Sequence, residues 1–287
     1  MRWPRLRTPE WILAGFFAYI AIISPWFRDR PHLKFQPVLL FLFVFVAFHA
    51  IAALERGRLA QVVSVARDWL PIGFTLLAFK EMELFLPRRF DGRLEATWVR
   101  WDHLILIEWH LRATIESLGK VIPFYLELCY VFVYATAVYC LLVLYRRKRR
   151  SEIDRFLTVY LTGTLLAYAL FPYFPSQPPR LLFPSMDMPT VSTWARTLNL
   201  YILRKATIHS GVFPSAHVSS VFSAAWGMFL VLPRRKIYGW ALVFYAVSVS
   251  IATIYGRYHY AADVFAGFGV SLVAGALCFI FRRITIQ

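Results

Sequence analysis

The chain has 287 residues, of which 59% are hydrophobic, 18% aromatic and 17% charged, with a mean hydropathy of +0.54. That balance excludes an ordinary water-soluble domain and points to a polytopic membrane protein. A formal net charge of +16 would suit a nucleic-acid binder. The basic residues, however, collect in short gaps between apolar runs, where membrane topology accounts for them and no nucleic-acid partner is needed.

Apolar runs long enough to cross a bilayer, about 17 to 25 residues, occupy 11–27, 37–54, 69–86, 121–145, 155–173, 216–232, 236–254 and 260–281. The expectation is an all-α membrane bundle of eight transmembrane helices. Arg2, Arg5 and Arg7 precede the first run in the manner of a signal peptide, yet no small-x-small cleavage site follows, so the run reads as a retained span. Between the third and fourth runs, Leu104, Ile107, Leu111, Ile115 and Leu118 recur at helical spacing against Asp102, Glu108, Arg112 and Glu116. This stretch, 88–119, is predicted to be an amphipathic helix on the membrane surface, with Trp101, Asp102, His103 and His110 as interfacial anchors.

Intramembrane charges are expensive, so Lys80, Glu81, Glu83 and Glu127 attract notice. The first three read as a mutually paired group, with Lys80 over the functional site as the other option. Glu127 is open between the two roles. Cys129, Cys140 and Cys278 lie in apolar runs without metal-ligand spacing and read as small buried hydrophobes. His32, His49 and His209 carry no readable signal.

Orientation follows from the connections. One face receives Arg2, Arg5, Arg7, then Arg56, Arg58 and Arg67, the run Arg146 to Arg150, Arg234 to Lys236, and Arg282 with Arg283. The positive-inside rule makes that face cytoplasmic, with both termini on it. The opposite, extracytoplasmic face receives 28–36, 87–120, 174–215 and 255–260.

Three short polar runs fall on that second face: Pro178-Pro-Arg180, Pro214-Ser-Ala-His217, and Tyr255 to Asp263, which contains Arg257 and His259. A helix beginning near His259 would put His259 and Asp263 on one face, the carboxylate holding one ring nitrogen and freeing the other. His217 follows Ser215 at the start of another helix, beside free backbone N–H groups and a positive dipole end that suits phosphate. Arg180 and Arg257 suit a reactive anion and disfavour a cation in the same pocket, so neither a metal nor another cofactor is expected.

The ordered set Pro214-Ser-Ala-His217, His259-x-x-x-Asp263 and Gly267 resembles the second and third signature motifs of the type 2 phosphatidic acid phosphatase superfamily. Arg257-Tyr-His-Tyr260 and Pro178-Pro-Arg180 resemble, more narrowly, the branch of inositol phosphorylceramide synthases and related lipid phosphotransferases. The resemblance covers roughly 120–280 and departs from the superfamily at three points. No lysine lies in 172–177 ahead of Arg180, Thr253 stands where many members carry arginine six residues before the nucleophilic histidine, and Ala216 replaces the usual glycine. It divides the chain into N-terminal spans with the surface helix, 1–119, and a catalytic membrane core, 120–287, within one compact membrane domain.

The resemblance implies that His259, oriented by Asp263, attacks phosphorus to form a phosphohistidine. His217 then serves the leaving group and the acceptor, and Arg180, Ser215 and Arg257 bind phosphate. The expected function is a membrane lipid phosphatase or phosphotransferase working on a lipid phosphoester or diphosphate, with water or an alcohol such as a polyol as acceptor. A non-catalytic lipid binder or transporter is the alternative from another class.

Overall fold

The computed structural model describes residues 5–27, 29–30, 33–206, 208 and 211–284, with side chains to residue 280. Arg2, His32 and His209, and the side chains of Arg282 and Arg283, lie outside what is described. Every regular element among the described residues is helical: α1 (Thr8–Ile23), α2 (Gln36–Leu54), α3 (Ala60–Glu81), α4 (Arg93–His103), α5 (Leu111–Glu116), α6 (Val121–Phe132), α7 (Thr136–Arg146), α8 (Ile153–Leu170), α9 (Pro179–Leu182), α10 (Trp194–Ala206), α11 (Ala216–Val231), α12 (Ile237–Tyr255) and α13 (Ala261–Ile284). A tight turn, Val133–Ala135, joins α6 and α7 into one bent rod.

Among the described residues six stretches are long and apolar enough to cross a membrane: 8–27, 36–54, 60–85, 121–146, 237–255 and 261–280. The two further spans expected from sequence, α8 and α11, form the centre of the bundle, packed more closely on each other than any other pair. Protein, not lipid, surrounds them, so their surfaces need not be uniformly apolar. α8 accordingly opens with Asp154 and Arg155 and carries Thr158, Thr162 and Thr164, while α11 needs only 16 residues, 13 of them buried.

Apolar burial does not drive helices together inside lipid; close packing and interhelical hydrogen bonds do. A side chain at Gly163 would place its Cβ 1.9 Å from Ser223 Oγ, so glycine is what lets α8 touch α11 there. Ser219 Oγ donates to the Gly163 carbonyl at 2.8 Å, a bond of a kind that contributes about 0.6 kcal/mol on average. α1, α3, α12 and α13 flank this pair, α2 lies outside against α1 and α3, and α6 packs on α12 with α10 against α6.

Alternate long helices run in opposite directions, which sorts the connections to two ends. At one end Arg7 pairs with Asp68 at 2.7 Å and Glu55 at 2.9 Å, Arg67 with Glu10 at 2.5 Å and with Glu55, and Arg150 with Asp68 at 2.6 Å. This network ties the start of α1 to the end of α2, to α3 and to the approach to α8.

The other end carries the long connections, and here the 88–119 segment differs from the single amphipathic helix read in sequence. A π-helical turn, Leu104–Glu108, and His110 at φ 57° break it between α4 and α5. Trp98, Val99, Leu106 and Ile115 face inward together with Glu95 and Asp102, while Leu104 and Leu118 are exposed. The buried face therefore carries two carboxylates, which rotates it away from the stripe that apolar spacing alone picks out.

Candidate active site

Three connections meet at this end: the α8 to α9 link, the residues before α11, and the tight turn between α12 and α13. Ser215 caps α11, its Oγ accepting from the Val218 N–H at 3.4 Å. His217, the second residue of the helix, thereby emerges at the mouth of the bundle. Gly267 on α13 makes the close approach possible, since a Cβ there would meet the Ser215 carbonyl at 2.4 Å. The Ser215 N–H completes the join by donating to the Asp263 carbonyl at 2.9 Å.

His259 sits in the turn, two residues before α13, with only 5% of its surface exposed. The helix begins later than the i,i+4 reading assumed, yet Asp263 still reaches the ring. Its Oδ2 accepts from the Tyr260 N–H at 2.9 Å, as an N3 carboxylate does at a helix start. The same oxygen lies 3.2 Å from His259 Nδ1, and the Val212 carbonyl lies 3.0 Å from that nitrogen. Facing two acceptors, Nδ1 carries the proton, and Nε2 keeps its lone pair. That lone pair points at His217 Nδ1, 3.3 Å away, and His217 Nε2 lies 3.3 Å from the Tyr134 hydroxyl.

Burial above all, and then the charge of Arg180, lowers the His259 pKa from 6.5 to about 3. The ring is neutral at physiological pH, as a nitrogen nucleophile must be. Burial likewise pulls Arg180 below the ordinary arginine value, countered by Tyr130, Tyr258 and Tyr134. Its Nη1 has a 3.5 Å contact with the Tyr258 carbonyl, and its guanidinium lies 5.7 Å from the centre of the Tyr258 ring.

Arg180, His217 and His259 line one cavity of about 100 Å³, walled by Tyr130, Tyr134 and Tyr258 and, deeper, by Tyr160, Thr164 and Tyr168. Ser215, Arg257 and Asp263 do not line it. Asp263 stands behind His259 and Ser215 serves as the cap. Arg257, fully buried at φ 61°, points its Nη1 to Asp102 Oδ2 at 2.5 Å. Lys80 is not on the cavity wall either; α3 contributes Ile72, Thr75, Leu76 and Phe79.

Two residues not placed in the site from sequence support this array, one of them Asp102, which is fully buried and so is not the interfacial anchor expected of it. Glu127 on α6 accepts from Arg196 Nη1 at 2.8 Å, Asn199 Nδ2 at 2.7 Å and the Tyr258 hydroxyl at 2.6 Å. Tyr258 is held so that Tyr130 stacks on it at 4.0 Å and on His217 at 5.0 Å between ring centres. Asp102 reaches the turn from α4. Glu127 gave a signal, a carboxylate in an apolar run; Asp102 gave none beyond its place on an amphipathic segment.

A family model described as PAP2 superfamily matches residues 97–277. A PA-phosphatase related-family protein of Dictyostelium discoideum is 36% identical over 62 residues, 22% of this chain. That match spans 11% of the relative's length. No solved structure matches the chain.

Proposed function

From the premise that the chain belongs to the PAP2 superfamily, we propose that it is an integral-membrane enzyme cleaving a lipid phosphoester or diphosphate through a phosphohistidine. The observation that carries this reading is the hydrogen-bonded order Asp263, His259, His217, with Arg180 on the same cavity. A buried neutral imidazole held by a carboxylate, beside an arginine with no carboxylate partner among the described residues, suits attack on a phosphate.

An in-line displacement needs phosphorus between the attacking nitrogen and the leaving oxygen. The 3.3 Å contact between the two rings leaves no room for it, so the phosphoryl group enters by parting them. His259 Nε2 then forms a bond to phosphorus as the ester P–O bond breaks. His217 gives its Nδ1 proton to the leaving oxygen, its ring having taken up a second proton from the acid form of the arriving phosphate, while Arg180 neutralises the non-bridging oxygens. In the second half His217 takes a proton from the acceptor, whose oxygen displaces His259 from phosphorus. Asp263 keeps the proton on His259 Nδ1 throughout, and Ser215 and Arg257 act from behind the cavity wall on the elements that carry the two histidines.

The lipid tail stays in the bilayer and the headgroup meets the site at the extracytoplasmic end. The supporting argument is that Arg7, Arg67 and Arg150 gather at the far end of the same helices, where the positive-inside rule puts the cytoplasm. A second reading makes the acceptor an alcohol such as a polyol, as in the inositol phosphotransferase-like branch. Tyr130, Tyr134, Tyr160 and Tyr168 among the residues lining the cavity favour it, since tyrosine hydroxyls can bind a polyol that water-only chemistry would not require.

Detergent-purified protein incubated with lipid phosphates, with and without inositol, tests both. Free phosphate without a new phospholipid marks a phosphatase, and a new phospholipid formed only with the alcohol marks a phosphotransferase. Neither product, or turnover that survives His259→Ala, refutes the proposal.

A further inference from the structure

We infer that Asp102 is a positioning residue for the nucleophile, gripping the His259 turn from both sides at once. This rests on the phosphohistidine reading above. Asp102 is fully buried on α4, and its two oxygens divide their work. Oδ2 accepts from Arg257 Nη1 at 2.5 Å, and Oδ1 accepts from the Ala261 N–H at 2.8 Å. Arg257 and Ala261 lie two residues before and two residues after His259. One carboxylate thus spans the nucleophile from a helix 155 residues away in sequence.

The turn needs such a hold. Arg257 has φ 61°, a region that a side chain larger than glycine occupies only when its surroundings impose it. Its carbonyl accepts from the Arg180 N–H at 3.2 Å, so the segment that bears the nucleophile is also fastened to the segment that bears the phosphate clamp. The Arg257 side chain itself has one hydrogen-bonding nitrogen on Asp102, and its Nε and Nη2 have no partner among the described residues. The ion pair with Asp102 is therefore what fixes this side chain and, through it, the near side of the turn. Because a displacement of about 1 Å at a reacting atom can cost about a hundredfold in rate, a residue that sets this turn sets the chemistry without touching the substrate.

Two ions separate positioning from a structural role. Vanadate, by adopting a trigonal bipyramid with a bond to His259 Nε2, reports where the nucleophile is. Inorganic phosphate, held by charge at Arg180, does not. Binding of each to full-length, detergent-purified protein is measured for wild type, Asp102→Asn, and the paired variant Asp102→Leu with Arg257→Met. Replacing a buried ion pair by apolar residues of similar size commonly preserves or improves folding, so the paired variant stays informative where the single one does not fold. In both, vanadate is expected to weaken by about tenfold or more, with phosphate affinity within about twofold of wild type and an intact thermal transition.

A folded paired variant that binds vanadate like wild type overturns the inference, because the pair would then serve folding alone. Equal weakening of both ions in a folded variant also overturns it, by placing the pair at the anion and not at the nucleophile. Vanadate affinity unchanged by His259→Ala would refute the phosphohistidine reading itself, and the role of Asp102 would fall with it.

Discussion

Arg67 and Arg180 sit at opposite ends of one helical bundle, and the bundle treats them differently. Arg67 is closed off: its Nε and Nη2 engage Glu10, its Nη1 engages Glu55, and Arg7 and Arg150 complete the arrangement through Asp68. No atom of these six residues is both buried and without a hydrogen-bond partner. Arg180 is left open, its guanidinium meeting a carbonyl at 3.5 Å and an aromatic face. At the same end, off the cavity wall, Arg257 Nε and Nη2, the Tyr260 hydroxyl and Asp263 Oδ1 are buried without partners among the described residues. An unmet polar group costs about 1 to 3 kcal/mol, more if charged, so the first end contributes stability and the second gives some up. The place where a fold tolerates open charge is the place where a ligand's charge is to be met.

The comparison breaks most sharply at His259. His259→Ala is expected to lower turnover by about 10⁴-fold or more, as removal of a nucleophile does, with folding retained because the ring faces the cavity. Product formation and acid-labile incorporation of ³²P from a labelled lipid phosphate check this together. Asp263→Asn is expected to cost less, roughly 10²-fold, although loss of the orienting carboxylate elsewhere can reach about 10⁴-fold. The Val212 carbonyl also accepts from His259 Nδ1 and preserves the tautomer without the carboxylate. A loss as large as that of His259→Ala would show that Val212 does not share the role.

Exchanging the treatment of the two arginines sharpens the contrast. Arg180→Met should reduce kcat/KM by roughly 10²-fold with little change in thermal stability, since no ion pair is broken. Arg67→Met should do the opposite. It strands the buried Glu10 and leaves Glu55 ion-paired to Arg7 alone, which by the usual cost of breaking a buried pair removes about 3 to 5 kcal/mol of stability, while turnover per folded molecule stays at the wild-type value. Equal effects of the two substitutions on either readout would erase the distinction between a closed and an open end.

What could be read in the sequence was whatever depends on local pattern. Apolar run length located the long helices, and the denser clustering of basic residues in alternate connections separated the two ends. The run length failed only in suggesting that α8 and α11 resemble the others; a central helix is read by its neighbours, and the sequence does not contain them. His217, His259 and Arg180 sit in short polar runs within an apolar chain, and their convergence on one cavity follows from alternating helix direction. Asp102 was hidden for a physical reason. Glu95, Trp98, Asp102 and Leu106 also share a helical face, but an aspartate on an amphipathic helix is ordinarily the water-facing residue, and only tertiary pairing with Arg257 turns that face inward. Arg257 misleads in the complementary way, since an arginine two residues from a nucleophilic histidine reads as a phosphate ligand until its partner on α4 is seen.

The smallest effect is one of pH, and its sign follows from burial. Free histidine titrates near 6.5, whereas His259 is lowered to about 3, chiefly by burial and secondarily by Arg180. Between those values the unfolded chain binds a proton at this position and the native protein does not. Stability therefore falls as pH drops from about 6.5 towards 3, with this group contributing a slope that approaches 1.4 kcal/mol per pH unit. His259 stays neutral over the same interval, so on the proposed mechanism phosphoenzyme formation gains no acid limb near 6.5 from it. Arg180→Met removes the secondary cause and leaves the principal one, which should move the His259 midpoint upward while keeping it below the free value. NMR titration of ring-labelled histidine in wild type and Arg180→Met reads this directly, with His259→Gln assigning the signal. A wild-type midpoint near 6.5 would mean that water reaches the ring, and the open end would then be open to solvent as well as to charge.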